Sequence, residues 1–391
     1  MLAAAVMSTQ GIAIDAMLPA LPSILGELHV AHPNDGQWVV SAYLIGIGVG
    51  YLFWGMISDR FGRRPILLGG LALYIASSAL CAWALSFEAF LLLRAVEGLA
   101  AASAVVMRSV IRDLYSGRHM ARVMSLTIVV ILIVPVIAPG LGQLLLLAAS
   151  WRVMFLAIGG LAALVWTWVW LRLPETLHPK YRLPLNRAHV RDAVWRVVGT
   201  RVSLWYTLAT TAVMGSLIAY IGMVEQIFAD IFHRPSLMPI LFAVCATAMA
   251  GASLLNSRIV ERFGMRRISH GAMLLFIGVA AVHVLVVILH RESLWTFVSL
   301  QAVTLAAFSL AASNFGAMAM EPLGSIAGTG ASLQGFISTS AGAVVGSAIG
   351  RHFNGSILVV PLSTLRCGLL GLVCVLIAEK GRLFRPQHAA E

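Results

Sequence analysis

Twelve runs of about 20 apolar residues follow one another along this chain, and each is long enough to cross a bilayer as a helix. The runs are apolar on every side, whereas the strands of a membrane barrel would alternate apolar with polar residues. A mean hydropathy of +0.90 leaves too little polar surface for a water-soluble globule. The sequence therefore predicts an all-α integral membrane protein. The predicted spans are 2–25, 37–57, 66–86, 88–109, 122–148, 151–171, 203–228, 237–257, 269–290, 294–318, 328–351 and 355–379.

The basic residues are distributed unevenly among the loops. The net charge of +11 is compatible with nucleic-acid binding, but its placement argues for topology instead. If the amino terminus is cytoplasmic, most lysines and arginines lie inside, which is the positive-inside pattern of membrane proteins. We therefore expect a multi-pass protein of the plasma membrane with both termini cytoplasmic, membrane lipid as a partner and no nucleic acid. The first run is expected to be a retained helix and not a signal peptide. The arginines left outside are Arg152, Arg234, Arg291 and Arg351.

A short charged string occurs twice in the chain. Asp59-Arg-Phe-Gly-Arg-Arg64 is followed 202 positions later by Glu261-Arg-Phe-Gly-Met-Arg266. Both strings are expected in the loop after the second span of their half, as parallel repeats related by an axis along the membrane normal require. The longest polar stretch separates the two halves. We predict an N-terminal six-helix bundle, a cytoplasmic linker and a C-terminal six-helix bundle over 1–172, 173–202 and 203–391.

The first string belongs to a longer match. Gly55-Met-Ile-Ser-Asp-Arg-Phe-Gly-Arg-Arg-Pro-Ile-Leu-Leu68 resembles the loop between the second and third helices of the major facilitator superfamily. The resemblance implies twelve transmembrane helices in two pseudo-symmetric bundles. It also implies that Asp59 faces the amino-terminal end of the eleventh helix, where free N–H groups favour an anion, and so holds a cytoplasmic gate shut. For Arg63 and Arg64, anchoring at the headgroups alone is the alternative. The expected gate residues are Gly55, Asp59, Arg60, Gly62, Arg63, Arg64, Arg112 and Asp113.

Two further stretches resemble motifs of proton-coupled members. Leu91-Leu-Leu-Arg94-Ala-Val-Glu97-Gly is similar to their fourth-helix motif, although many relatives carry Gln where Glu97 stands. An arginine inside a span needs a polar cavity or a partner. Because Glu97 lies on the same helical face, a coupling role and a structural ion pair both remain open. The fifth-helix motif of antiporters is matched in part by Pro139, Gly140 and Gly142, for which a proline-kinked packing helix is the alternative.

Asp15 precedes Pro19 and Pro22 within the first predicted span. This acidic, proline-rich first helix is similar to that of the Bcr/CflA-like drug:proton antiporters. An isolated carboxyl inside the membrane is costly when it is ionised, so we expect Asp15 to bind a proton or a cationic substrate. A carboxyl that faces the outer membrane interface is the alternative.

Two residues of the second half are further candidates for proton coupling or substrate binding. Glu225 lies near the external end of the seventh span, and Asn314 belongs to a methionine-rich stretch that resembles the tenth helix of the same antiporters. His283 is the one histidine deep in a span, and we interpret it as a packed neutral imidazole. The sequence has no metal-ligand spacing and no phosphate-binding loop, so we expect no cofactor, with protons as the coupling ion.

These features together predict a secondary active transporter. By resemblance it is a proton-coupled antiporter of the multidrug efflux type, which exports amphipathic small molecules and contributes to antibiotic resistance. Because the plan of two bundles in one chain is self-contained, we expect a monomer. A dedicated transporter of a sugar, an amino acid or an organic ion is one alternative. A non-transporting membrane sensor or scaffold is another, because folds are reused. An enzyme is not expected, since no cluster of carboxylates, histidines or nucleophiles marks one membrane face.

Overall fold

The computed structural model describes residues 1–178, 180, 182 and 187–384, and every regular element among them is helical. Of the predicted linker, positions 179, 181 and 183–186 lie outside the described residues. Eleven helical segments in the described part are long and apolar enough to cross a membrane. The remaining predicted span, the eleventh at 328–351, is helical from Ala327 to Arg351 but contains a π-helical turn, Ile337–Ala341, and is rich in glycine and serine. The prediction of an all-α membrane fold is confirmed.

The chain forms two compact units, which are here named the N unit, Met1–Arg187, and the C unit, Ala188–Glu391. In the N unit, α3 packs against α5, α4 against α8 and α1 against α7. Its core joins Val6, Leu71, Met107 and Val169 from four different helices. The helices are α1 (Leu2–Asp15), α2 (Leu21–Glu27), α3 (Gln37–Phe61), α4 (Arg63–Ala82), α5 (Phe87–Ala101), α6 (Val106–Leu114), α7 (Gly117–Ala148) and α8 (Trp151–Arg172).

The C unit is organised around its first long helix. Helix α10 packs against α13, α15 and α16, and α13 also packs against α11 and α12. Tyr206, Phe276, Phe315 and Cys374 meet in its buried core. A helix that precedes α10 begins at the unit boundary. The helices are α9 (Arg187–Gly199), α10 (Arg201–Gln226), α11 (Met238–Phe263), α12 (Met265–Ile288), α13 (Leu294–Met320), α14 (Ala327–Phe336), α15 (Gly342–Arg351) and α16 (Val359–Ala378).

The first predicted span is broken in the middle by its prolines. Pro19 has no N–H to donate, and its ring would clash with the carbonyl of Asp15 four residues earlier, so α1 ends at Asp15. A 3₁₀ turn, Leu18–Ala20, leads into α2, whose first turn accommodates Pro22. The break places the Asp15 carboxyl at the carbonyl end of a helix within the span.

The two charged strings lie on helices and not in loops, which differs from the prediction. Helix α3 continues to Phe61 and α4 begins at Arg63, so that Gly62 alone connects them, with a φ of +107°. Gly264 connects α11 to α12 in the same way, with a φ of +78°. Because glycine adopts positive φ without a steric penalty, one residue is enough to reverse the chain.

Arg152, one of the four arginines expected outside, has a structural role in the N unit. Its Nε lies 2.8 Å from Glu27 Oε1 at the end of α2, and its Nη1 donates to the carbonyl of Ala82 at the end of α4 at 2.6 Å. A cation at a helix carboxyl end satisfies carbonyls that lack partners. Arg152 therefore joins the ends of α2 and α4 to the start of α8.

Candidate functional site

Asp15 lies at the end of α1 and is 6% exposed. Among the residues that the structure describes, it has no hydrogen-bond or ion-pair partner. The break after it leaves the carbonyl of Asp15 without its usual partner, because Pro19, four residues later, has no N–H to donate. A buried carboxyl beside a helix carbonyl end is a site that favours a proton or another cation.

Arg94 and Glu97 form an ion pair inside the N unit. Arg94 Nη1 lies 2.5 Å from Glu97 Oε2, and both side chains are 0% exposed. Arg94 Nη2 also donates to the carbonyl of Ala13 at 3.2 Å, and its guanidinium lies over the Tyr43 ring at 4.3 Å. The pair therefore contacts α1 two residues before Asp15. Arg94 therefore stabilises the position of α1 and also lies close to the candidate site.

Two tyrosines hold α1 in the same way, and the sequence analysis did not single them out. Tyr43 O–H donates to the carbonyl of Gln10 at 2.9 Å, and Tyr74 O–H donates to the carbonyl of Thr9 at 3.2 Å. Because a hydroxyl inside an apolar bundle needs a partner, each bond fixes the position of α1 against its neighbour. Buried tyrosines in otherwise apolar spans were the signal available in the sequence.

Of the three residues of the fifth-helix motif, the structure brings Gly142 to the candidate site. A side chain at Gly142 would overlap the carbonyl oxygen of Ala16, so α7 approaches the break in α1 at backbone distance. Gly140 has no atom near the position of a side chain, and Pro139 lies inside α7, which continues to Ala148. The close approach at Gly142 therefore fixes the backbone next to Asp15.

The first charged string forms a network within the N unit. Arg63 Nη1 lies 2.5 Å from Asp59 Oδ1, and Arg63 Nε lies 3.3 Å from Asp113 Oδ2. Thr176 Oγ1 donates to the same Asp113 oxygen at 3.2 Å. The network thus connects the end of α3, the start of α4, the end of α6 and the segment after α8.

Glu175 provides the amino-terminal cap of α4. Its Oε1 accepts a hydrogen bond from the backbone N–H of Arg63 at 2.9 Å, and its Oε2 accepts one from that of Arg64 at 3.2 Å. A side chain at Gly62 would overlap this carboxylate. A carboxylate at a helix amino terminus is favoured both by the free N–H groups and by the helix dipole.

Among the other predicted gate residues, Arg64 shares the Glu175 cap through its backbone N–H, whereas the rest lie apart from this network. Gly55 has open space around it, and Arg112 is exposed. Arg60 is exposed and lies over the neighbouring Phe61 ring at 5.4 Å. Arg64 donates from Nη2 to the carbonyl of Trp170 at 2.8 Å. The pairing of Asp59 with the eleventh span stays a prediction.

The two candidates in the C unit have different surroundings. Glu225 lies one residue before the end of α10, where the helix passes into a π turn, Ile227–Ile231. Asn314 is buried and donates from Nδ2 to Asn256 Oδ1 at 2.8 Å and to the carbonyl of Leu310 at 2.7 Å. Asn314 therefore links α13 to α11 through amide groups that are already hydrogen-bonded.

The second charged string also forms a network, and this one includes buried side chains of the C unit. Arg266 Nε lies 2.9 Å from Glu379 Oε1 after α16, and Arg266 Nη2 lies 3.0 Å from Glu321 Oε2 after α13. Tyr206 O–H donates to the same Glu379 oxygen at 2.6 Å, and its oxygen lies 3.1 Å from His270 Nε2. These five side chains connect α10, α12, α13 and α16 at one end of the C unit.

The family model that describes the Major Facilitator Superfamily matches residues 2–347, which is most of the chain. The chain belongs to the Major Facilitator Superfamily. This superfamily consists of membrane transporters for small molecules, and the membership agrees with the eleven spans and the duplicated charged strings.

Similar members of the superfamily include proteins named for drug resistance. A bicyclomycin resistance protein homologue of Haemophilus influenzae is 28% identical over 341 residues, which cover 86% of this chain and 84% of the relative. A chloramphenicol resistance protein of Pseudomonas aeruginosa is 28% identical over 376 residues, which cover 93% of this chain and 86% of the relative. These matches confirm the prediction that the chain resembles the drug-efflux branch.

A solved structure of the superfamily has the same fold. The crystal structure of a D-xylose-proton symporter matches with a TM-score of 0.76 at 15% identity, and the match covers 98% of this chain and 97% of that structure. At this identity the match concerns the fold alone. The assignment of this chain as a membrane transporter rests on its superfamily membership.

Proposed function

We propose that this chain is a proton-coupled antiporter that exports amphipathic drugs or related small molecules. The proposal is supported by its similarity to proteins named for resistance to bicyclomycin and chloramphenicol. Asp15 is the observation that carries it: a buried carboxyl at a helix break, without a partner in the described chain. We assign Asp15 the role of the coupling group.

The chemistry of one buried carboxyl accounts for exchange. An ionised carboxylate without a partner in a low-dielectric interior is costly, and the cost is removed by a proton, by a cationic part of a substrate or by a substrate group that donates hydrogen bonds to the carboxylate. If proton and substrate compete for Asp15, binding of one releases the other. Alternating access then exchanges protons for substrate, with no other energy source.

The residues around Asp15 position the carboxyl and do not titrate in this mechanism. Arg94, held by Glu97, fixes α1 through the Ala13 carbonyl. Gly142 permits α7 to contact the break. A coupling group must keep its geometry when its charge changes, and these contacts hold the backbone on both sides of it.

The distribution of basic residues supports a particular orientation of the transporter in the membrane. The excess of basic residues in alternate loops supports insertion in the bacterial inner membrane with both termini cytoplasmic. In that orientation the two charged strings face the cytoplasm. We propose that the transporter works as a monomer, and that protons are its coupling ion without any cofactor.

Reconstituted vesicles provide the test. A panel of drugs that includes uncharged chloramphenicol and fluorescent cations is added to proteoliposomes with an acidic lumen. Uncharged drug avoids the passive trapping that weak bases show in acidic vesicles. We expect drug accumulation that exceeds that of protein-free liposomes and disappears when an ionophore removes the pH gradient.

Two outcomes would contradict the proposal. Gradient-driven movement of a single sugar or amino acid, with none of the drugs, would assign a dedicated metabolite transporter. Absence of proton flux with every compound, in protein that is folded by circular dichroism, would favour a sensor or scaffold.

Gly142→Ala and Gly140→Ala are a matched pair for the geometry around Asp15. The added methyl at Gly142 overlaps the Ala16 carbonyl, whereas the one at Gly140 meets open space. Because small displacements at a reacting group have large effects, we expect transport to fall about tenfold or more in Gly142→Ala. Gly140→Ala is expected to retain transport. Equal activity of the two variants would show that the contact does not position the site.

A further inference from the structure

His283 on α12 and Glu292 in the loop before α13 meet at the end of the C unit opposite Gly264. His283 Nε2 lies 3.2 Å from Glu292 Oε1, and the side chains are 2% and 10% exposed. The second oxygen of Glu292, Oε2, is buried and has no hydrogen-bond partner in the described part of the chain. The transport mechanism proposed above uses neither residue.

Helix capping does not account for Glu292. The residue directly precedes Ser293, the N-cap of α13, where a carboxylate would be favoured by the helix dipole. However, Ser293 and Thr296 already form a reciprocal capping box, in which Ser293 Oγ accepts from the Thr296 N–H at 3.2 Å and Thr296 Oγ1 accepts from the Ser293 N–H at 2.6 Å. Glu292 turns toward His283 instead. If it were ionised, one of its oxygens would be buried without a donor.

The proton balance of the pair follows from this burial. Burial raises the pKa of Glu292 from 4.5 to about 7. The neighbouring charged groups of the same loop, His290 and Arg291, are exposed, and neither contributes to the shift. Below about pH 7 the carboxyl O–H therefore donates to Nε2 of a neutral imidazole, so the pair holds one proton and no net charge.

Aromatic contacts connect this pair to the end of α10. The Phe297 ring lies 5.6 Å from the His283 ring, 5.6 Å from the Phe232 ring and 6.4 Å from the Phe228 ring. Phe228 belongs to the π turn that ends α10, and Phe232 directly follows it. The Phe297 ring thus lies between His283 and the π turn, and a change of charge beside His283 can alter the packing of the turn through this ring.

We propose that His283 and Glu292 form a second proton-binding site of this protein, separate from Asp15, and that the bound proton keeps the π turn of α10 packed. The other titratable or charged groups at this end of α10 are Glu225, Asp230, His233 and Arg234, and the His233 Nδ1 lies 3.2 Å from the carbonyl of Ala229 in the π turn. Because the folded pair releases its proton near pH 7 and then buries an ionised Glu292 oxygen without a donor, we expect the stability of this end to fall as pH rises through about 7. The site is independent of the proposed substrate and coupling.

Infrared difference spectroscopy of the purified protein in lipid tests proton binding. A pH titration is expected to show the C=O stretch of a protonated carboxyl that disappears with a midpoint near 7. Glu292→Gln should lose this band, and Glu88→Gln, which alters an exposed carboxyl of the N unit, should keep it. A spectrum in which no protonated carboxyl is lost with Glu292→Gln would overturn the proposal. If that variant does not fold, labelling of wild-type Glu292 by a hydrophobic carbodiimide, read by mass spectrometry, must fall through the same pH range.

Hydrogen exchange tests the link to the π turn. Peptides that cover Ile227–Ile231 should lose protection above the titration midpoint, after correction for the intrinsic pH dependence of exchange. Glu292→Gln mimics the protonated carboxyl, so its protection should stay high at alkaline pH. Protection that changes with pH equally in both proteins would contradict the link.

Discussion

The two charged strings occupy equivalent places in the two units but bind their acidic partners differently. In the N unit, Glu175 caps the backbone of α4 and Asp113 binds the side chain of Arg63. In the C unit, the side chain of Arg266 binds both Glu379 and Glu321. Each unit therefore places one acid at the end of its fourth span and one after its sixth, next to the start of its third.

The difference follows from one substitution between the repeats. Met265 stands where the first string has Arg63. The arginine whose side chain binds the acids is therefore the next residue, Arg266. Glu379 is consequently drawn into the helices, where its side chain is 1% exposed and also binds Tyr206. Duplication has thus kept the positions of the acids while changing what they stabilise: a helix terminus in the N unit, a buried side-chain cluster in the C unit.

The largest expected difference concerns the two acids that follow the sixth spans. Glu379→Gln removes the buried one of the two acidic partners of Arg266, a largely buried arginine, so we expect the free energy of unfolding to fall by about 3 kcal/mol. Glu175 is exposed and acts as a helix cap, so Glu175→Gln should cost about 1 kcal/mol. Thermal unfolding in detergent measures both. A larger drop in Glu175→Gln would reverse the comparison.

The connecting glycines provide the next contrast. Gly62 and Gly264 both have positive φ, so alanine is strained at either position, at a cost of about 1–2 kcal/mol. Gly62→Ala also displaces the Glu175 carboxylate, whereas no atom lies near a side chain at Gly264. We expect the larger loss of stability in Gly62→Ala. In a Glu175→Ala background this excess should vanish, and its persistence would show that the cap is not the cause.

Substitutions at the first residues of the strings, Asp59 and Glu261, are expected to change stability least. They should nevertheless affect transport unequally. The Asp59 side chain is 38% exposed, so its pair with Arg63 contributes at most about 1 kcal/mol. If Asp59 holds the gate, Asp59→Asn should reduce transport about tenfold while stability barely changes. Glu261 is exposed and has no ion pair within the described chain, so Glu261→Gln should have a mild effect. Equal losses of transport would contradict the asymmetry.

Much of the fold was predictable because a bilayer imposes length and polarity on every span. Recurrent apolar runs and two charged strings are sufficient to predict a duplicated helical membrane protein. The break at Asp15 is explained by Pro19 and Pro22 in the sequence, whose missing N–H groups interrupt a helix. The one-residue connections were not predicted, since span ends depend on the positive φ of Gly62 and Gly264 and not on hydropathy.

The contacts of the candidate site were harder to predict. Sequence spacing on one helix suggested that Arg94 could reach Glu97, and the structure places them 2.5 Å apart. The partners of Arg63 and Arg266 come from distant helices, and only tertiary packing brings them together. Glu292 was missed because a glutamate in a loop is expected to be solvated, whereas this one is buried against His283.

The central claim is that Asp15 couples protons to substrate, and drug exchange in proteoliposomes made with Asp15→Asn tests it most directly. The variant lacks the titrating carboxyl but keeps the shape of the site. We predict that it no longer accumulates drug under a pH gradient, yet still exchanges labelled for unlabelled drug across the membrane. Gradient-driven accumulation at the wild-type level in Asp15→Asn would contradict the account.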